Sequence, residues 1–262
     1  MNAFSYRVQT LQPSAIREIL KFTADPEVIS FAAGNPAPEA FPTEEIAHIT
    51  NEILTTTPID ALQYSITEGY TPLRNWIKDD LKKKGMFDEN EEDVVITSGA
   101  QQAIEVVTKE ICNEGDVIIC EAPTFIGSLN AFRSYNAKLV GVEMEDDGIN
   151  IEKLEAALEK YQRTAFIYLI PNFQNPTGKT MSLEKRKKVL ELAQKYNVYI
   201  LEDNPYGDLR YLGEDVPTIK SLDKTGHVLY AGTFSKTLAP GLRVGYLCAP
   251  KNVIAKAGVC MQ

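Results

Sequence analysis

The chain has 262 residues, 44% hydrophobic and 24% charged, a size and balance that suit one large domain or two modest ones with a sizeable buried core. A net charge of −9 speaks against a nucleic-acid surface, which would show a basic patch or stripe, and no apolar run reaches the length of a membrane span. The four cysteines form no CxxC pair and the only histidines are His48 and His227, so neither a zinc site nor a disulfide framework is expected. That cysteine usage suits a reducing compartment, and the N-terminus lacks the apolar core of a signal peptide, so a cytoplasmic protein is expected.

In chain order, SAIREILKFT (14–23) spaces its apolar residues as a helix does. From about residue 92 onward, short β-rich runs alternate with amphipathic ones. VVIT (94–97) precedes AQQAIEVVTKEIC, and DVIICE (116–121) precedes a segment through SLNAF. KLVGVEM (138–144) precedes IEKLEAALEKY, and AFIYLIP (165–171) precedes SLEKRKKVLELAQKY. VYILED (198–203), HVLYAG (227–232) and the strand-like VGYLCA follow. The alternation predicts an α/β fold with a mostly parallel sheet. Helices on both faces of that sheet explain why its strands read as continuous apolar runs.

Ligands of such sheets bind beyond the carboxyl ends of the strands, so the residues after each run are the candidate site. Ser98-Gly99-Ala100-Gln101 makes a small turn opening a helix, a seat for phosphate or a plain helix cap. Ala122-Pro123-Thr124-Phe125 offers an aromatic plate or a core side chain. PNFQNPTG (171–178) places Asn172 and Asn175 on a loop that is otherwise a turn, with Asn175-Pro176 a candidate cis bond. Asp203 ends a buried strand, where a carboxylate needs a cationic or donor partner or serves as a cap. Lys236 follows the last such run, in GTFSKTLAPGLRVGY (232–246); alone, it reads as a surface cation. As a set they match what pyridoxal phosphate requires: a phosphate seat, an aromatic plate, an amide, an acid for the ring nitrogen and a lysine for the aldehyde. Thr233, Ser235 and Arg243 would add to the phosphate seat.

With those residues in place, the chain resembles the fold-type I pyridoxal-phosphate enzymes, and among them the class I/II aminotransferases of the kynurenine and 2-aminoadipate branch. The matching stretches run in family order: SFAAGNPAPEAFP (30–42), LQYSITEGYTPLR (62–74), TSGAQQAIE (97–105), EAPTF (121–125), PNFQNPTG, EDNPYGDLRY (202–211) and TFSKTLAPGLRVGY (233–246). The resemblance implies a three-layer α/β/α large domain and an aminotransferase that passes an amino group from a 2-amino acid to a 2-oxo acid in ping-pong fashion. It implies that Lys236 bonds the cofactor and then carries the proton, that Asp203 pairs with the ring nitrogen, and that Asn175 and Tyr206 bond the phenolic oxygen. It further implies that Phe125 stacks on the ring and that Ser98, Gly99, Ala100, Gln101, Thr233, Ser235 and Arg243 hold the phosphate. Tyr64 resembles a tyrosine that reaches the neighbouring subunit's phosphate, which implies a homodimer. Pro123 and Pro176 stand where the family tends to have cis bonds. On the substrate side the candidates are Gly34, Asn175 and Arg17, the last also readable as a solvated helix-face arginine.

The same resemblance divides the chain into an N-terminal arm and helix (1–45), part of the small domain and dimer contact, and a cofactor-binding large domain (46–262) cut at its C-terminal end. Relatives continue past that point with a connecting helix, most of a small domain and an arginine that clamps the substrate carboxylate. Here no arginine follows Arg243, so a piece of a longer enzyme is expected, in preference to a natural short product. The rival readings are a lyase or decarboxylase using the same cofactor, a cofactor-binding fragment without turnover, and the sensor domain of a transcription regulator. The last needs a DNA-binding module upstream, for which the residues before SFAAGNP are too few.

Overall fold

The computed structural model describes residues 4–9, 11, 27–29 and 34–262. The helical pattern at 14–23, and Arg17 within it, lie outside the described residues. After a single helical turn at Tyr6–Gln9, three helices precede the sheet: α1 (Thr43–Thr56), α2 (Pro58–Leu62) and α3 (Thr71–Lys83). Helix α3 starts with a proline in its first turn, where no intrahelical N–H is needed, and ends on Lys82 and Lys83, whose charges favour the carbonyl end. It buries Ile77 and Leu81, four residues apart on one face.

The remainder alternates as the pattern predicts. Strands β1 (Glu92–Ser98), β2 (Val117–Ala122), β3 (Lys138–Glu145) and the short β4 (Gly148–Ile149) are joined by α4 (Ala100–Ile111) and α5 (Ile126–Ser134). Then come α6 (Ile151–Lys160), β5 (Thr164–Leu169), α7 (Leu183–Tyr196), β6 (Tyr199–Asp203) and α8 (Ile219–Leu222). Strand β7 (Val228–Thr233), β8 (Val244–Pro250) and α9 (Lys251–Met261) complete the order. Side chains that accept first-turn N–H groups start two of these helices: Asn150 from Lys153 on α6, Ser182 from Lys185 on α7.

The strands form one eight-stranded sheet in the order β1-β8-β7-β6-β5-β2-β3-β4. Strands β3, β2, β5, β6 and β7 pair in parallel. Strand β8 is inserted antiparallel between β7 and β1, which restores β1 to the common direction. The carboxyl ends of β1, β7, β6, β5, β2 and β3 therefore lie along one edge.

Side chains alternate across the sheet. Ile118, Cys120, Phe166 and Tyr168 pack with α4, α5 and α9, whereas Val117, Ile119, Ile167 and Leu169 pack with α6, α7 and Ile219 of α8. Alternate residues of each strand thus enter opposite cores, the three-layer α/β/α arrangement expected. A third, smaller core joins Ile77 and Leu81 of α3 to Val94, Tyr230 and Cys248. Among the described residues no helix is long and apolar enough to cross a membrane.

Candidate active site

Strand β6 ends on Asp203, buried at 4% exposure. The Tyr168 hydroxyl, from adjacent β5, donates to its Oδ2 at 2.7 Å, while Oδ1 is buried with no hydrogen-bond partner. Burial pushes this carboxyl up to about 6, against the opposing pull of the Tyr168 bond. An open, buried acceptor of this kind is costly unless a donor meets it.

Strand β1 ends on Ser98, and Gly99 turns the chain at φ +72° into α4. No side chain caps α4, so its first-turn N–H groups are available to an anion. Ser98 does not act as the cap; its own N–H donates to Gln102 Oε1 at 2.6 Å. The Arg243 guanidinium lies over Gly99, with Nη2 3.2 Å from the Ser98 carbonyl. A Cβ on Gly99 would come within 2.9 Å of Arg243 Cζ. Gly245, opposite on β8, admits the Gly99–Ala100 backbone: a Cβ there would lie 2.5 Å from the Gly99 carbonyl carbon. Thr233 and Ser235 join from the end of β7, where the Thr233 hydroxyl bonds Ser235 Oγ at 3.0 Å and accepts the Ser235 N–H at 3.1 Å. Gln101 turns its amide to the Gly127 carbonyl at 3.2 Å, tying α4 to α5.

Phe125 precedes α5, its ring folded over Gly127 so closely that a Cβ there would meet the ring at 2.5 Å. Asn175 Nδ2 donates to the Tyr206 hydroxyl at 3.2 Å. Burial pushes that phenol above its ordinary pKa, the Asn175 bond opposing. Peptides Ala122–Pro123 and Asn175–Pro176 are both cis. Lys236 follows β7 in a turn, half-buried, and its Nζ donates to the Gly34 carbonyl at 3.4 Å. Burial pulls its ammonium below the ordinary lysine range. A cavity of about 500 Å³ is lined by Gly34, Asn175 and Tyr206 together with Phe173, Tyr211 and Leu212.

The strand-end candidates therefore share one edge of the sheet, and hydrogen bonds join Asn175 to Tyr206, Arg243 to Ser98 and Lys236 to Gly34. Tyr64 is different: it is wholly exposed, and its recorded bond is a backbone one to Gln63 Oε1. Arg17 lies outside the described residues. Residue-by-residue reading missed Tyr168, Glu121, Gln174 and Gly245. For Tyr168 a signal existed, as the one hydroxyl-bearing side chain in the apolar run AFIYLI. Asn172 lies on the same loop as Asn175, with its side-chain amide engaged by protein partners. It accepts from Arg186 at 2.7 Å and donates to Asn204 at 2.9 Å, as part of the loop's support.

A family model described as aminotransferase class I and II matches residues 26–259. The chain is similar to aromatic-amino-acid aminotransferase 1 of Thermococcus litoralis, at 43% identity over 99% of this chain and 63% of that protein. It is similar to the 2-aminoadipate transaminase of Thermus thermophilus, at 40% identity over 97% of this chain and 63% of that protein. Among solved structures, a Pyrococcus horikoshii kynurenine aminotransferase in complex with PMP, KYN and KYA superposes with a TM-score of 0.94, at 39% identity, over 99% of this chain and 65% of that one. The chain thus spans less than two thirds of the length of these relatives. The family match, the sheet order and the side chains gathered at the carboxyl edge agree, and the chain belongs to the class I and II aminotransferases.

Proposed function

We propose that residues 46–262 form the cofactor-holding large domain of an aminotransferase that moves an amino group between a 2-amino acid and a 2-oxo acid, with pyridoxal 5′-phosphate as cofactor. The observation that carries this is the orphaned, buried Oδ1 of Asp203. A protonated ring nitrogen is the donor that would satisfy it, and the Gly99–Arg243 cradle suits a phosphate. When bound, the cofactor supplies an electron sink that lets the substrate's Cα–H bond break.

The chain's own residues do the rest. Asp203 would accept from the ring nitrogen and keep it protonated. Phe125 would stack on the ring, and Asn175 with Tyr206 would bond the phenolic oxygen. The α4 N–H groups, Ser98, Thr233, Ser235 and Arg243 anchor the phosphate. Lys236 would hold the cofactor through Nζ and, as a free amine, would take the proton from the substrate's Cα; its desolvation favours the neutral form that role needs. The relatives' names support an aromatic or 2-aminoadipate-like amino acid as substrate. A homodimer, with Tyr64 reaching the second copy's phosphate, completes the reading.

The test is the visible spectrum of the purified chain with pyridoxal phosphate. We expect a yellow band that is lost in Lys236→Ala and bleached by excess amino acid, with recovery that depends on an added 2-oxo acid. A folded chain with no band would refute the assignment of Lys236. Turnover without an oxo acid would favour a lyase or decarboxylase.

A further inference from the structure

Glu121 and Gln174 are buried polar side chains, each 1% exposed, adjacent in sequence to the two turns that carry Phe125 and Asn175. Glu121 belongs to β2, just before the turn through Pro123 and Thr124 to Phe125. Gln174 directly precedes Asn175. Glu121 Oε2 accepts the Ile170 N–H and the Gln174 side-chain amide, both at 3.1 Å, and its Oε1 is buried without a partner. The same Gln174 amide donates to the Pro123 carbonyl at 2.8 Å. Gln174 Oε1 in turn accepts the Thr177 N–H at 3.0 Å and the Thr177 hydroxyl at 2.7 Å. One side chain therefore bonds both turns at once, and Glu121 orients it.

Such groups are costly to bury, and apolar residues would fill the space without that cost. What the polar pair adds is direction: hydrogen bonds set a distance and an angle, where apolar packing sets only a volume. The charged or titratable groups that interact with Glu121 are Asp203 on β6, Tyr168 on β5 and the neighbouring Cys120 on β2. Burial, with the Asp203 charge adding to it, pushes Glu121 up to about 8. Burial thus favours the uncharged acid, which places no second anion beside Asp203.

We propose that Glu121 and Gln174 are positioning residues, a single brace that holds the Phe125 turn and the Asn175 turn at the separation a flat ring between them requires. This rests on the cofactor reading, and the test separates the two. Pyridoxal phosphate is titrated into the full chain and its four variants, reading both affinity and the visible band. Glu121→Met and Gln174→Met keep side-chain volume but remove the brace; each is expected to weaken binding by about tenfold, the scale of a lost buried hydrogen bond, and to displace the band maximum. Glu121→Gln keeps an uncharged acceptor of the same shape and is expected to stay within about threefold of the parent. Thr177→Val, a milder change, covers the case in which a methionine variant does not fold; it is expected to weaken binding by a few-fold.

Folded variants lacking the brace that bind within twofold of the parent, with the band unmoved, would overturn the inference. So would a Glu121→Gln protein as impaired as Glu121→Met. A folded parent chain with no band at all would overturn the cofactor reading and this inference with it.

Discussion

Asp203 and Glu121 are carboxyls whose burial holds them protonated above the usual range, at about 6 and about 8. A folded acid with a raised pKa binds protons that the unfolded chain has released. Its stabilising contribution is full below the unfolded value and is lost as pH rises through the folded one. Without cofactor, the chain's stability is therefore expected to fall between about pH 4 and pH 8, and Glu121→Gln to remove the larger part of that fall. Urea unfolding at several pH values checks this; parallel curves for the two proteins would contradict it. Asp203→Ala removes the partner of the ring nitrogen, and its cofactor affinity is expected to drop by about a hundredfold, read by equilibrium dialysis, as for loss of a buried charged partner. The strand-end residues were legible because chemistry-bearing types stood directly after apolar runs. Tyr168 and Glu121 were not, because each sits inside such a run and only the neighbouring strand reveals what its polar atom meets.

The strand–helix alternation was readable from period alone, and each run named from residue 92 onward became a strand or helix within a few residues of the expected ends. The reversed direction of β8 was not readable, since VGYLCA is as apolar as its parallel neighbours and nothing local encodes pairing sense. Between elements, Arg186 of α7 does what no motif announced. It is fully buried and donates to the carbonyls of Pro171, Met181, Val216 and Pro217 as well as to Asn172. Arg186→Met would remove the Arg186 donors from all of these acceptors, of which Pro171 keeps the Met181 N–H, an expected loss of about 3–5 kcal/mol by thermal or chemical melting. Gly99→Ala tests the cradle itself. The position has a positive φ and the Arg243 guanidinium overhead, so a loss of about 1–2 kcal/mol of stability with weakened phosphate binding is expected, measured by melting and cofactor titration.

At the scale of the molecule, α1 and α2 expose Ile49, Ile53, Leu54, Ile59 and Leu62 near the wholly exposed Tyr64 in sequence. The proposed homodimer would cover this apolar surface. Sedimentation is expected to show a dimer, and Ile59→Asp with Leu62→Asp to weaken it; a monomeric parent chain would count against the assignment of Tyr64. The antiparallel insertion of β8 also has a bearing on how the protein comes into being. Ser98 and Gly99 meet Arg243 only when β1 has paired with β8, in the register Ser98↔Val244. During synthesis the first half of the cradle leaves the ribosome long before its closing partner, and β1, whose neighbour in the sheet is β8, has to wait without a strand partner. A nascent chain arrested before β8 emerges can hold five parallel strands but no phosphate seat, so acquisition of the cofactor has to follow the emergence of β8.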